Sequence, residues 1–189
     1  MKLILVRHGE TKEGKNNVIL GHLPGTLTKK GIEFSKYITK KIKKLNLNPS
    51  LIISSDLNRA KKTAIIISKN LKIPIRYEKL LRERSAGKVE GKSEKEIDWD
   101  KYEKIKKPYR RHPEGESFIE VRNRAKKFLK KIKNNNRTII IVSHSAFLSM
   151  LISAFYKQSI EKSLKHNFNK NIKIIDTQKN RERKTSHSR

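Results

Sequence analysis

At 189 residues the chain has the size of one ordinary domain, long enough to bury a core without disulfides or a structural metal and too short for two large domains. It contains no cysteine, which excludes disulfide frameworks, thiolate metal sites and cysteine nucleophiles. A formal charge of +29, with 34% hydrophobic and 34% charged residues, describes a folded body with a very hydrophilic surface and points toward anionic partners.

That charge is spread over the body. The last fourteen residues, Asp176 to Arg189, hold five basic and two acidic side chains and leave +26 elsewhere. An abundance of lysine, asparagine and isoleucine together would also follow from a compositional bias, without selection for binding. The first apolar run stops at Arg7 and His8, far short of a signal-peptide core or a spanning helix, so a cytoplasmic address with no membrane attachment is the expectation.

Taken in chain order, Leu3 to Val6 is a short β-prone run predicted as a buried strand, followed at once by Arg-His-Gly-Glu-Thr. From Thr28, Phe34, Ile38, Ile42 and Leu45 recur at helical spacing on an otherwise lysine-rich segment, which Asn46 to Pro49 closes. Leu51 to Ile53 reads as a second strand. Ser54, Ser55 and Asp56 are expected to cap a helix whose apolar stripe is Leu57, Ala60, Ala64, Ile67 and Leu71. Ile73 to Tyr77, with Pro74 near its start, predicts a strand at a sheet edge.

Residues 84–114 have no sustained period and read as a lid-like insertion, although Ser93 and Glu96 could form a capping box for a short helix holding Ile97 and Trp99. Ser117 and Glu120 make a second capping box, ahead of the cleanest helical stripe in the chain: Phe118, Val121, Ala125, Phe128 and Ile132. After Asn134 to Asn136, Thr138 to Val142 is the most strand-like run. Ser143-His144-Ser145 follows it, then a helix carrying Leu148, Leu151, Ile152 and Phe155. A last strand is expected over Ile172 to Ile175, and residues 176–189 are expected to form a basic, disordered tail.

Strands alternating with helices predict an α/β fold, three layers deep (α/β/α) around a largely parallel sheet, with functional groups collected at the carboxyl ends of the strands. Three strand ends would then deliver Arg7-His8, the segment Ser54 to Arg59, and Ser143-His144 to one edge. Two arginines suit the oxygens of a phosphate dianion. Nearby positive charge disfavours imidazolium, so His8 would stay neutral and nucleophilic toward phosphorus. His144 would stabilise charge on the transferring group, and Glu83 would protonate the leaving oxygen and later activate water. No cofactor and no metal enters this scheme.

Taken singly these are weak signals, but Arg7-His8-Gly9-Glu10-Thr11 directly after a strand is a specific one. This string resembles the signature of the histidine phosphatase superfamily, also called phosphoglycerate mutase-like. The resemblance continues in Leu27-Thr28-Lys29-Lys30-Gly31, in Ser54 to Ala60, in Leu81-Arg82-Glu83-Arg84, in Pro113 to Ser117 and in Val142-Ser143-His144, spanning Leu3 to about Ile175. It implies that fold for residues 1–175, a phosphohistidine at His8, Arg7 and Arg59 as phosphate ligands, Glu83 as proton donor and His144 as second catalytic histidine.

Four positions depart from the pattern. Gly14 stands where many members have a phosphate-contacting asparagine, Leu20 where glutamine is common, Thr26 where proline is usual, and Ser145 where glycine usually follows the histidine. Asn16 and Asn17, from the same loop, are the residues able to replace the missing contact, and Asn17 is taken as the candidate. Ser145 still offers a backbone N–H to phosphate at a helix start.

The resemblance is nearest to broad-specificity, fructose-2,6-bisphosphatase-like and α-ribazole phosphatases. It implies hydrolysis of small phosphorylated metabolites, because the mutases of the family carry a longer insertion than residues 84–114. Phosphoglycerate mutase is the alternative within the family. In a different class, the charge alone would admit a basic adaptor that binds nucleic acid or phosphoproteins without specificity and keeps an idle catalytic fold.

Overall fold

A five-stranded sheet of order β3-β2-β4-β1-β5 forms the middle layer of the computed structural model, which describes residues 1–133, 137–168 and 172–176. The elements run β1 (Lys2–Arg7), α1 (Lys12–Lys15), α2 (Lys29–Lys44), β2 (Leu51–Ser54), α3 (Asn58–Leu71), β3 (Ile75–Tyr77), α4 (Trp99–Glu103), α5 (Phe118–Ile132), β4 (Thr138–Ser143), α6 (Ser145–Tyr156), α7 (Ile160–Leu164) and β5 (Lys173–Asp176). The expected break at 134–136 and the tail from 177 lie outside the described residues.

The short apolar runs become central strands because both faces of the sheet are covered, so every position of β1 and β4 can be apolar. Leu3, Leu5, Ile53, Ile139 and Ile141 face the layer of α5 and α6. Ile4, Val6, Ile52, Ile140 and Val142 face α2 and α3. The alternation follows from the two-residue period of a strand, which turns successive side chains to opposite faces. The lysine-rich stripe helices close the sandwich with one face each: α2 buries Ile38 and Ile42, and α3 buries Ala60, Ala64 and Ile67.

β1, β4, β2 and β3 are parallel, whereas β5 pairs antiparallel with β1 and extends to Asp176, one residue into the segment expected to be tail. The third strand is at the edge as expected but begins only at Ile75. Pro74, which has no N–H, contributes its carbonyl to the Ile52 amide at 2.9 Å.

Both predicted capping boxes form. Ser117 and Glu120 open α5, while Ser93 and Glu96 close only a 3-10 turn, because Ile97 is extended and Asp98 starts α4 separately. The expected cap of α3 by Ser54, Ser55 and Asp56 does not form. Leu57 is the N-cap residue and makes no side-chain cap bond, since the three polar side chains are engaged elsewhere: Ser54 with the Ser55 carbonyl, Ser55 with His144, Asp56 with Arg82. Helices α1 and α7 were not read from the sequence; each is too short to show a period.

The segment between residues 84 and 114 is built of 3-10 turns and α4, and it is strapped to the loop after α1. Ile19 donates to the Lys92 carbonyl (2.9 Å), Gly91 to the Ile19 carbonyl (2.8 Å) and Glu94 to the Asn17 carbonyl (2.9 Å). Among the described residues, no helix is long and apolar enough to cross a membrane.

Phe128 is fully buried on α5 against Phe147 of α6, with ring centroids 6.4 Å apart. Phe128→Ala should therefore cost about 3–5 kcal/mol of unfolding free energy in a urea titration. Ser117→Ala, which removes one cap, should cost about 1 kcal/mol.

Candidate active site

The register of two neighbouring strands fixes the centre of the site. Arg7 of β1 lies opposite Ser143 of β4, and the next amide, that of His8, donates to the Ser143 carbonyl at 3.0 Å. His8 and His144 are thus equivalent positions one step past the ends of adjacent parallel strands. Their rings face each other with centroids 5.0 Å apart. β2 is in register on the other side of β4, with Ser54 opposite Val142, so Ser55 emerges on the same edge.

Gly9 lets this edge close down on α2. A Cβ at Gly9 would stand 2.3 Å from the Gly31 carbonyl oxygen, and one at Gly31 would stand 2.2 Å from that of Glu10, so both positions exclude a side chain. The Gly9 amide is anchored to Thr63 Oγ1 of α3 at 3.1 Å.

The ring nitrogens of His8 have different partners. Nδ1 is 2.7 Å from the Gly9 carbonyl oxygen, which can only accept, so Nδ1 is assigned the proton. Nε2 is left with its lone pair and accepts from Arg59 Nε at 3.3 Å. Burial, then the charges of Arg59 and Arg7, hold the His8 imidazole well below its ordinary pKa of 6.5.

His144 has no solvent exposure, and its Nε2 is 2.9 Å from Ser55 Oγ. Ser55 Oγ also accepts from the Leu57 amide (3.3 Å), and its hydroxyl hydrogen can be given to His144 Nε2; in that tautomer the imidazole proton lies on Nδ1. That Nδ1 is buried and has no hydrogen-bond partner among the described residues. Burial, followed by the proximity of His8, Arg59 and Arg7, also lowers the His144 pKa well below 6.5.

Arg59 is 1% exposed, and its fork is held by the loop after α1. Nη2 donates to the Gly21 carbonyl at 2.8 Å and Nη1 to the Leu23 carbonyl. Gly21 takes a left-handed backbone (φ +45°), where a Cβ would run into the Glu90 carboxylate. Burial lowers the Arg59 pKa, opposed chiefly by Glu83.

Glu83 reaches the same edge from the loop after β3. Its Oε1 accepts from the Arg84 amide (2.9 Å) and its Oε2 from the Ala146 amide in the first turn of α6 (3.5 Å). Its backbone is clamped by residues the sequence reading did not single out. Arg124 of α5 donates to the carbonyls of Leu80 (2.6 Å), Arg82 (3.1 Å) and Glu83 (3.1 Å) while forming a two-pronged pair with Glu116 (2.7 and 2.8 Å). His22 Nε2 donates to the Glu83 carbonyl at 2.8 Å. Arg124 was one of many cations on a helix and gave no signal in the sequence. Ser55 was expected only as a helix cap, and Glu116 lay in a segment already noted but carried no assigned role.

A cleft of about 440 Å³ opens beside His8. Arg7 and His8 line it from β1 and the loop beyond, Gly14 and Lys15 from α1, and Lys30 and Phe34 from α2. Of the sequence-predicted residues, Arg7, His8, Arg59, Glu83 and His144 therefore gather at one sheet edge. Ser145 is the first residue of α6, next to His144. Asn17 is not brought to the cleft: it is exposed, with left-handed backbone (φ +55°), and its amide and carbonyl bond Gly14 and Glu94. Among the described residues, no group of three or more His, Cys, Asp or Glu side chains could hold a metal ion.

An α/β/α sandwich that gathers two imidazoles, two guanidinium groups and a carboxyl group at one sheet edge has the complement of groups suited to a phosphoryl group. The chain belongs to the histidine phosphatase superfamily (branch 1), which it matches over residues 3–188. It is 31% identical over 160 residues to the probable phosphoglycerate mutase GpmB of Escherichia coli O1:K1 / APEC, covering 81% of this chain and 74% of that protein. A mutant phosphoserine phosphatase from Entamoeba histolytica, in complex with phosphoserine, superposes with a TM-score of 0.79 at 26% identity, covering 92% of this chain and 89% of that one. A mycobacterial glucosyl-3-phosphoglycerate phosphatase complexed with VO3 shares the fold at 23% identity, with a TM-score of 0.82 over 93% and 92% of the two chains.

Because the pKa values of His8 and His144 lie below 6.5, both rings remain neutral as pH falls through that value. The acid limb of a kcat/KM profile is expected below pH 6.5 rather than at it. The unfolded chain does bind protons near 6.5 while the folded one refuses them, so unfolding free energy should decline as pH drops from about 6.5 toward the folded values. A rate profile whose acid limb is centred at or above 6.5 would contradict this.

Proposed function

We propose that the chain hydrolyses small phosphomonoesters through a phosphohistidine intermediate on His8. The observation that carries this reading is the orientation of the His8 ring: Nδ1–H donates to the Gly9 carbonyl at 2.7 Å, so the Nε2 lone pair is the nucleophile. The phosphatase names of several solved relatives support the same class.

In the first step His8 Nε2 attacks phosphorus and the ester P–O bond breaks, its electron pair leaving on the alcohol oxygen. A protonated Glu83 carboxyl gives that oxygen its proton. In the second step water attacks the phosphohistidine, Glu83 takes a proton from the water, the N–P bond breaks and inorganic phosphate leaves. Arg7, Arg59 and the unpartnered Nδ1–H of His144 meet the equatorial oxygens, where charge is spread in the loose transition state. For Arg59 this means exchanging Gly21 and Leu23 carbonyls for phosphate oxygens, a change that strengthens its hydrogen bonds because the new acceptor is charged.

A mutase would use the same residues, and the name of the GpmB relative favours it. A hydrolase releases inorganic phosphate from phosphoglycerate, whereas a mutase interconverts its isomers and is stimulated by a bisphosphate primer. Phosphate release without interconversion is the expected result.

His8→Ala should abolish turnover of 4-nitrophenyl phosphate while leaving circular dichroism and melting behaviour near those of the parent; full activity in that variant would overturn the reading. Glu83→Gln should lower kcat about 10²–10⁴-fold on alkyl phosphates and much less on 4-nitrophenyl phosphate, whose leaving group needs little help from an acid. Chelators should leave the rate unchanged.

A further inference from the structure

The carboxyl of Glu83 is aimed chiefly by one peptide unit. Its Oε1 accepts from the Arg84 amide at 2.9 Å, whereas its Oε2 stands 3.5 Å from the Ala146 amide, longer than an ordinary N–H···O bond. The Arg84 N–H belongs to the same planar trans unit as the Glu83 carbonyl, and the two point in opposite directions. Whatever fixes that carbonyl therefore fixes the line along which the N–H meets the carboxyl.

Two donors from different elements converge on the carbonyl. Arg124 Nη2 of α5 reaches it at 3.1 Å, and His22 Nε2, from the loop after α1, reaches it at 2.8 Å. A carbonyl oxygen can only accept, so His22 Nε2 carries its hydrogen. Arg124 is divided among the Leu80 and Arg82 carbonyls and Glu116 as well, and His22 makes the shorter bond.

The backbone of His22 is itself tied to both halves of the site. Its amide donates to Glu90 Oε1 at 3.0 Å, an oxygen that also accepts from the Ala86 amide at 2.9 Å. The carbonyls on either side of it, those of Gly21 and Leu23, accept from the fork of Arg59, whose Nε donates to His8 Nε2 at 3.3 Å. Residues 21–23 thus bridge the arginine beside His8 and the peptide that aims Glu83.

We propose that His22 is a positioning residue for the proton donor: through the 83–84 peptide it sets where the Glu83 carboxyl stands relative to His8. The inference rests on the reading of Glu83 as the acid of a phosphohistidine phosphatase. Losing one of the carbonyl's two donors lets the peptide unit tilt, and a misplacement of about 1 Å at a catalytic group can cost on the order of 10²-fold in rate. Arg124 stays in place, so the effect is expected to be smaller than removal of the carboxyl.

The test reads kcat/KM across 4-nitrophenyl, phenyl and ethyl phosphate, whose leaving groups need increasing help from an acid. The ratio of ethyl to 4-nitrophenyl phosphate does not depend on the fraction of folded protein, so a merely structural loss leaves it unchanged. His22→Ala should lower this ratio about tenfold, short of the fall in Glu83→Gln. His22→Gln, whose amide N–H can take the place of Nε2–H, should return it toward the wild-type value. In the Glu83→Gln background His22→Ala should add nothing to the fall, since the group it positions is gone.

An unchanged ratio in His22→Ala, no difference between the Ala and Gln variants, or an additive effect in the double variant overturns the inference and leaves the phosphatase reading intact. A wild-type ratio in Glu83→Gln, or a wild-type protein that hydrolyses none of the three esters, overturns that reading instead.

Discussion

The in-register pairing of β1 with β4 is the constraint on which the rest of the site depends. Parallel neighbours about 4.8 Å apart present equivalent positions side by side. A histidine one residue past the end of each strand therefore meets the other without any loop having to search for it. Both strands are buried on two faces, so sliding one by a residue would turn every inward side chain to the wrong layer. Core packing and the spacing of the two histidines are held by the same register.

Placing two imidazoles among two guanidinium groups sets their chemistry. Burial and the arginine charges both disfavour imidazolium, so the rings stay neutral, and the hydrogen-bond partners then decide which nitrogen carries each proton. At His8 a carbonyl accepts from the nitrogen away from Arg59; at His144, when the serine hydroxyl donates to Nε2, the proton lies on the nitrogen that has no hydrogen-bond partner among the described residues. One ring is left as an electron-pair donor and the other as a hydrogen-bond donor, which is the complementarity a phosphoryl group in transit requires.

Burying Arg59 without a direct carboxylate partner would be costly if its donors were unmade, since an unsatisfied charged group loses its hydration with no return. The carbonyls of Gly21 and Leu23 prevent this, and they link the surroundings of His8 to the loop that Glu90 and the 84–114 segment hold in place. Arg124 plays the corresponding part for Glu83 by holding three carbonyls of its loop, those of Leu80, Arg82 and Glu83. The site is thus rigidified from both sides by arginines bonded to main-chain carbonyls, while the lysines that dominate the net charge remain at the surface.

The sequence by itself determined the layer architecture, the strand ends and the five groups that gather there, because apolar periodicity and strand-end position are local properties of the chain. It determined the box at Ser117 and Glu120 for the same reason: cap and partner are three residues apart. Tertiary structure alone decided the partners of those groups. Ser55 was read as a helix cap, yet its hydroxyl joins His144, 89 positions away, and the amide it accepts from is that of Leu57, ahead of the helix, rather than one within it. Asp56 went to Arg82 in the same way, and Asn17, chosen to replace the contact missing at Gly14, does not line the cleft; its backbone is bonded to Gly14 and Glu94. Hydrogen-bond choice among polar side chains depends on which distant strand or helix arrives next to them, and that arrangement is written only in the folded chain.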